Sequence, residues 1–425
     1  MGVATSTLKT VVEEQREDLK AFLKTARLIR RDCQEAYASD FRSRLVSVVL
    51  GVRRSGKSTL CLRELDLDTA SYLNFDDERL LGVSSEDLTR LYEVFLQVNP
   101  STQTIVLDEA QNVLGWELFV NRLQRKGLKV VVTGSNAHLL GSELSTHLTG
   151  RVLSTELFPF SFLEFIRFHG LDVPKVWTAE SRSAFKEKLE TYVDSGGFPE
   201  VVQGERPGPY LRELFDRIVS RDVLQRRALK SSKALKELAL YVVQTSGSLV
   251  SYQKLARTFD FKSVHTVKRY LGFLEEAYLV QEVLAYSNKL KERVTLPRKY
   301  YAIDAGLIRS LRVKPTQDRG SELETLVFLQ LRRQTRELYH YRTPAADVDF
   351  VVCEGGKPSL LVQACWSLRD ESTRAREIKS LLAAGKLLRT SRHILVTWDE
   401  EETIEVGKKV IRVVPVWKFL SGQGA

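Results

Sequence analysis

A chain of 425 residues with 43% hydrophobic and 28% charged residues has an ordinary globular balance and enough length for two or three cores. Its net charge of +10, from 64 Lys and Arg against 54 Asp and Glu, favours anionic partners such as nucleic acid. Cys33, Cys61, Cys353 and Cys365 are scattered without a CxxC pair, a spacing that excludes a zinc ligand set and a disulfide framework. The longest apolar runs, such as VVLGV (48–52) and VVVTG (130–134), suit buried strands and are too short to span a membrane. No charged-then-apolar signal opens the chain, so the expectation is a cytoplasmic protein with no membrane partner.

Residues 1–43 read as helical and charged, with no role beyond packing near the strand and loop of residues 44–58. RLVSVVLG (44–51) predicts a buried strand, GVRRSGKS comes after it, and TLCLREL reads as a helix. Strand, glycine loop and helix is the context of a phosphate-binding P-loop. Gly51 and Gly56 let backbone N–H groups turn towards phosphate oxygens. Lys57 reaches the β- and γ-phosphates, and the Ser58 hydroxyl suits Mg²⁺. Arg53, Arg54, Ser55 and Thr59 complete the candidate loop, the two arginines either meeting phosphate or facing solvent.

YLNFDDERL (72–80) predicts a further strand, and TIVLDEAQNV (104–113) another, ending in two adjacent carboxylates. Asp108 suits the Mg²⁺ shell through water, and Glu109 suits polarising an attacking water. KVVVTGSN (129–136) is a strand ending in small polar residues. Ser135 or Asn136 either senses a γ-phosphate or belongs to a plain strand-to-helix turn. Arg151, after this strand, is a candidate for neutralising transition-state charge in cis or from a neighbouring subunit; its alternative is a surface ion pair. Arg221 beside Asp222 is a weaker candidate of that kind, and GGFP (196–199) reads as a structural turn.

Further along, SYQKLARTFDF (251–261) and KSVHTVKRYLGFLEEAYLVQEV (262–283) read as two helices joined by a tight turn, with Ser251 and Ser263 as N-caps. Residues 278–304 alternate like two strands around a basic turn, the place of a wing. In such a module the second helix would present Ser263, His265, Thr266, Lys268 and Arg269 to a DNA groove. Lys262, Lys289, Lys291, Arg293, Arg298 and Lys299 would meet phosphates. The other reading is a protein-docking module or rigid lever.

The last third predicts a helix (320–334) with Glu322 and Glu324 in its first turn, then strands at 337–343, 346–352, 359–368 and 393–400 and a strand-helix at 411–420. This order resembles the restriction-endonuclease-like fold. The resemblance implies Asp349 at the first acidic position. Gln363 stands where the next strand carries its carboxylate, and Cys365 where it carries its lysine. A neutral amide is a poor Mg²⁺ ligand, so the expectation is a degenerate nuclease that does not cut, with an active ATP-dependent nuclease as the alternative.

The order P-loop, acidic strand, polar-tipped strand resembles an AAA+ ATPase core. With LTGRVLSTELFPFSFLEF (148–165), YVDSGGFPEVV (192–202) and RELFDRIVSRDVLQRR (212–227), the chain is similar to archaeal-type AAA+ ATPases with a winged helix and a nuclease-like C-terminal module, including the swapped-hairpin branch. That resemblance implies ATP hydrolysis and, for some members, binding to DNA, including branched DNA. The expected organisation is α/β: a helical segment (1–43), a P-loop AAA+ parallel-sheet core (44–170), a helical lid or linker (171–230), a winged helix (231–304) and an α/β nuclease-like domain (305–425). Expected ligands are ATP and Mg²⁺, and expected partners are DNA, a protein, or further copies of the chain.

Overall fold

The structure is a computed structural model that describes residues 2–137, 148, 150–227, 229, 233–312 and 319–423. It divides into two compact units, residues 1–158 with Glu276–Tyr278, and residues 159–275 with 279–425.

In the first unit, five short strands form one parallel sheet in the order β2-β3-β4-β1-β5. They are β1 (Val46–Leu50), β2 (Ala70–Asn74), β3 (Thr104–Asp108), β4 (Lys129–Gly134) and β5 (Val152–Glu156). The sheet is covered by helices, so β1 is buried along its whole length and reads as an unbroken apolar run. Helices α1 (Thr5–Thr25), α2 (Gln34–Arg42), α3 (Lys57–Leu62), α4 (Asp87–Val98) and α5 (Trp116–Arg125) complete the unit.

The N-terminal segment has a structural task. Leu8, Val11, Val12 and Leu19 of α1 are buried where it packs on α4 and the edge strand β2. Gln15 also pairs with both backbone groups of Asn74, accepting from its N–H at 2.8 Å and donating to its carbonyl at 3.3 Å. Backbone groups at the open edge of a sheet are thereby satisfied. Tyr37 of α2 is fully buried in a core with Val49, Leu60, Val106 and Val131.

The second unit begins at residue 159, earlier than the boundary expected at 170. Helix α6 (Phe162–Phe168) opens with a reciprocal Ser161–Glu164 capping box. Its Phe162 and Phe165 pack on Phe185 and Tyr192 of α7 (Ala179–Ser195), and this aromatic cluster ties α6 to the second unit. Next come α8 (Pro199–Val202), α9 (Pro207–Arg217), a π-helical stretch (Ile218–Gln225) and α10 (Lys233–Gln244).

The GGFP segment is a turn, as expected. Gly196 has φ 77°, Gly197 N–H donates to Asp304 Oδ2 at 2.7 Å, and a Cβ on Gly197 would lie 2.2 Å from the Phe160 carbonyl.

Strand β6 (Leu249–Val250) precedes the two expected helices, which are α11 (Tyr252–Thr258) and α12 (Val264–Glu276). Both expected caps are present: Ser251 Oγ accepts from Lys254 N–H, and Ser263 Oγ from Thr266 N–H. Strands β7 (Val280–Val283) and β8 (Arg298–Ala302) pair antiparallel in a three-stranded sheet, order β6-β8-β7. The expected basic turn between them is instead partly helical, α13 (Leu290–Thr295).

Helices α14 (Ala305–Leu311) and α15 (Gly320–Gln334) lead to a six-stranded mixed sheet in the order β13-β14-β12-β11-β10-β9. Its strands are β9 (Leu338–Thr343), β10 (Ala346–Glu354), β11 (Lys357–Ala364), β12 (His393–Thr397), β13 (Glu402–Val406) and β14 (Lys409–Pro415). The sheet is flanked by α16 (Glu371–Leu388) and α17 (Val416–Leu420).

Candidate nucleotide site and a closed carboxylate cluster

The loop 51–56 joins β1 to α3 at the carboxyl edge of the parallel sheet, the edge where such sheets bind ligands. Gly51 passes so close to the next strand that a Cβ there would lie 2.0 Å from the Leu157 carbonyl oxygen. Gly56 caps α3 with φ 90°, a conformation open to glycine. Lys57 is buried, and its Nζ donates to the carbonyls of Gly51 at 3.2 Å and Val52 at 3.1 Å, while Glu109 Oε1 lies 3.6 Å away. Ser55 is buried and Thr59 half-buried. Arg53 pairs with Asp76 at 3.2 Å, whereas Arg54 is exposed with φ 67°.

Asp108 and Glu109 close β3 opposite that loop. Ser58 Oγ donates to Asp108 Oδ2 at 2.6 Å, Tyr72 OH donates to the same oxygen at 2.6 Å, and Thr133 Oγ1 donates to Oδ1. Burial and the neighbouring Glu109 raise the Asp108 pKa against these three donors. Burial acts on Glu109 in the same sense, but Lys57 and Arg53 outweigh it and hold Glu109 at about 2. Adjacent carboxylates pushed in opposite directions are a mark of a functional pair. Glu109 also has φ 53°, a backbone conformation uncommon outside glycine and concentrated at functional sites. Ser135 donates to Glu109 Oε2 from its N–H at 3.3 Å and its hydroxyl at 3.1 Å, and Gln111 donates to the same oxygen.

The fold therefore gathers Gly51, Gly56, Lys57, Ser58, Asp108, Glu109, Ser135 and Asn136 at one sheet edge, because Leu50 is level with Gly134 in the β1–β4 register. Arg151 is not among them. It precedes β5, which runs parallel to β1, and its carbonyl accepts from Val46 N–H at the start of β1. Five residues of strand, about 17 Å, separate that edge from the P-loop, so a cis contact with the nucleotide is overturned.

Sequence reasoning missed the supports. Arg31 donates to the Ser55 carbonyl at 2.9 Å and the Phe158 carbonyl at 2.6 Å, pinning the loop from the N-terminal segment. Tyr72 and Thr133 lie on strands already recognised, and their facing could have been read from strand alternation.

The candidate nucleic-acid residues separate into two groups. On α12 and before it, Lys262, His265, Lys268 and Arg269 are exposed, and Ser263 and Thr266 are half-buried in the cap. Lys289, just before α13, and Lys291, on it, are exposed, Lys289 paired with Glu292 at 3.0 Å. Arg293 is half-buried, its guanidinium 5.4 Å from the Tyr286 ring centroid and 5.1 Å from that of Tyr339. Arg298 binds Glu282 at 2.6 Å. Lys299 is buried between Glu324 Oε1 at 2.8 Å and Asp349 Oδ1 at 2.9 Å. Arg298 and Lys299 are thus not phosphate contacts: carboxylates within the same unit already hold both.

Asp349 sits where the sequence places it, on β10 beside Gln363 of β11. Its Oδ2 accepts from Ala364 N–H at 3.1 Å, and Gln363 Oε1 accepts from Asp349 N–H at 3.1 Å. Tyr301 OH donates to Glu324 at 2.6 Å. Burial raises the Cys365 thiol to about 11, so it stays neutral at pH 7. A cavity of about 550 Å³ opens over this cluster, lined in addition by Asp347, Arg342, Arg376 and Glu377.

Residues 43–166 match an AAA domain family, and residues 186–318 match a domain of unknown function. Uncharacterized protein MJ1544 of Methanocaldococcus jannaschii is 31% identical over 97% of this chain and 95% of its own length. An uncharacterized protein of Haemophilus influenzae is 31% identical over 87% of this chain and 93% of its own. Among solved structures, a Walker-type ATPase of Pyrococcus abyssi aligns over 67% of this chain and 96% of its own, with 15% identity and a TM-score of 0.43. The parallel five-stranded sheet with its flanking helices has the AAA+ α/β fold, a mixed-sheet unit follows it, and the chain belongs to the same protein family as MJ1544.

Proposed function

We propose that this protein binds ATP with Mg²⁺, hydrolyses it, and couples the cycle to remodelling of bound DNA, including branched DNA. One observation carries the hydrolytic reading: Lys57, Ser58, Asp108, Glu109 and Ser135 converge at a glycine loop through the Ser58–Asp108 and Ser135–Glu109 hydrogen bonds and the Lys57–Glu109 ion pair. Ser58 Oγ and Asp108 Oδ2, 2.6 Å apart, are hard oxygen donors of the kind a Mg²⁺–nucleotide complex uses. When bound there, the ion would neutralise charge on the β- and γ-phosphates. Lys57 stabilises phosphate oxygens. Glu109, held near 2, is a weak proton acceptor; it orients and polarises the attacking water through its carboxylate charge. Ser135 and Gln111 fix that carboxylate's direction. Asn136, next to them, senses the γ-phosphate.

The strand, helix, helix, two-strand order of β6, α11, α12, β7 and β8 supports a winged-helix reading, with Lys262, His265, Lys268 and Arg269 facing a groove. The internal pairing of Arg298 and Lys299 removes part of the expected wing surface and favours a second reading, a nucleotide-controlled switch acting on a protein partner. The mixed-sheet unit resembles a nuclease whose chemistry is lost: Gln363 spends its oxygen on a backbone N–H, and Lys299 fills the space between the two carboxylates. A cytoplasmic site of action and assembly into oligomers complete the proposal. Among the described residues no helix is long and apolar enough to cross a membrane.

The test is the ATPase rate without DNA and with single strands, duplex and a four-way junction, at two salt concentrations. Stimulation by one form, weaker at high salt, supports the DNA reading. A rate unchanged by all of them moves the function to a protein partner.

A further inference from the structure

The amino-terminal edge of the first unit's sheet, opposite the nucleotide edge, holds an open cavity of about 810 Å³. It is lined by Leu45 just before β1, Thr104 and Lys129 at the starts of β3 and β4, and Arg151 just before β5. Arg42, Arg44 and Arg125 join Lys129 and Arg151, so among the described residues five basic side chains line it and no carboxylate does. The unit as a whole is nearly balanced in acidic and basic residues, so this is a local concentration of charge.

The pairing elsewhere sharpens the contrast. In the same unit Arg53, Arg79 and Arg90 each meet a carboxylate. Among the described residues no ion pair engages Arg42, Arg44 or Arg125, which are exposed, and Arg151 reaches only Asn121 Oδ1 at 3.5 Å. Lys129 is anchored by the carbonyls of Asp40, Ser43 and Leu45 and the Ser47 hydroxyl, all neutral acceptors, so its charge is not cancelled by contact. The Asp40 carboxylate acts on it only at a distance. Unpaired like charges gathered from three separate chain segments repel one another, and an anion relieves that repulsion. Guanidinium forks match phosphate oxygens in pairs, and four of them exceed what one phosphate can take.

We propose that this cavity is a second nucleic-acid contact, in which Arg42, Arg44, Arg125 and Arg151 hold consecutive backbone phosphates on the ATPase unit itself. It rests on the DNA reading above, and it assigns backbone contacts to the unit that turns over ATP as well as to α12.

The test measures binding of a labelled duplex and a labelled four-way junction by fluorescence anisotropy between 50 and 200 mM KCl, with the full chain. Three proteins are compared: wild type, Arg42→Gln/Arg44→Gln/Arg125→Gln, and Lys262→Gln/Lys268→Gln/Arg269→Gln. The expected result for the arginine variant is about tenfold weaker binding or more at the upper salt, with a log–log salt slope shallower by about 2–3, one counterion per lost contact. Its melting curve and DNA-free ATPase rate stay at wild type, because the three side chains are exposed and stand at the far edge from the nucleotide.

If the arginine variant binds within twofold of wild type while the α12 variant loses binding, this inference falls and the DNA reading stands. If wild type binds neither probe, both fall. If DNA-free turnover drops in the arginine variant, the cluster serves a neighbouring copy's nucleotide instead and the inference is overturned.

Discussion

The Lys299 ammonium lies 2.9 Å from Asp349 Oδ1, bringing a lysine from β8 into the place where the sequence suggests only a lost nuclease centre. Glu324, 2.8 Å away, completes a buried group of two carboxylates and one cation. Removing the cation leaves two buried negative charges without a counterion. Lys299→Met is therefore expected to cost about 3–5 kcal/mol of unfolding free energy. Adding Glu324→Gln and Asp349→Asn should recover much of that loss, and urea denaturation of the series measures it. A single-variant loss under about 1 kcal/mol would show that the group is solvated rather than closed.

At the nucleotide site, Lys57→Ala should weaken nucleotide binding or abolish turnover, and normal hydrolysis in that variant would refute the assignment. Glu109→Gln keeps size and hydrogen bonding but removes the charge that orients water. Nucleotide binding should persist while turnover falls by about 10²-fold or more. Equilibrium binding of a fluorescent nucleotide beside a phosphate-release assay separates the two effects.

Gly197→Ala tests the turn that docks on Asp304. The added methyl would sit 2.2 Å from the Phe160 carbonyl, a backbone atom that cannot swing aside. A destabilisation of about 1–3 kcal/mol or more is expected from overpacking. Denaturation by urea reads it out, and an unchanged midpoint would mean that the segment repacks freely.

His340 supplies a pH dependence. Burial lowers its pKa to about 4, against the opposing pull of the Pro297 carbonyl 2.9 Å from Nε2. The unfolded chain takes up this proton near pH 6.5 and the folded chain only near 4, so stability is full above 6.5 and is lost as pH falls through that window. Between pH 7 and pH 5 this group alone removes about 2 kcal/mol. His340→Gln, which keeps a donor for the carbonyl, should show that much less decline over the same interval. An equal decline in both proteins would assign the acid sensitivity to other groups.

Much of the candidate nucleotide site was legible because its signals are local. Gly51, Gly56, Lys57 and Ser58 lie within one loop, and Asp108 and Glu109 end an apolar run whose length and composition mark a buried strand. Caps at Ser251 and Ser263 were legible for the same reason, since a cap spans only three residues. Less legible were α13, whose six residues between two strands look like a basic turn, and β6, two residues long and made by pairing with β8.

By itself the sequence determined what neighbouring residues can encode: the strand, glycine loop and helix of residues 44–65, the acidic pair at the end of β3, and a neutral Gln363 and Cys365 on β11 and just after it. Tertiary structure alone decided which distant side chains meet. It put Arg31 on the Ser55 carbonyl, moved Arg151 to the far edge of the sheet through the parallel pairing of β5 with β1, and carried Lys299 across fifty residues to Asp349. The physical reason is that charge pairing depends on distance in space. Strand direction and sheet order set that distance, and neither is written in the local spacing of residues.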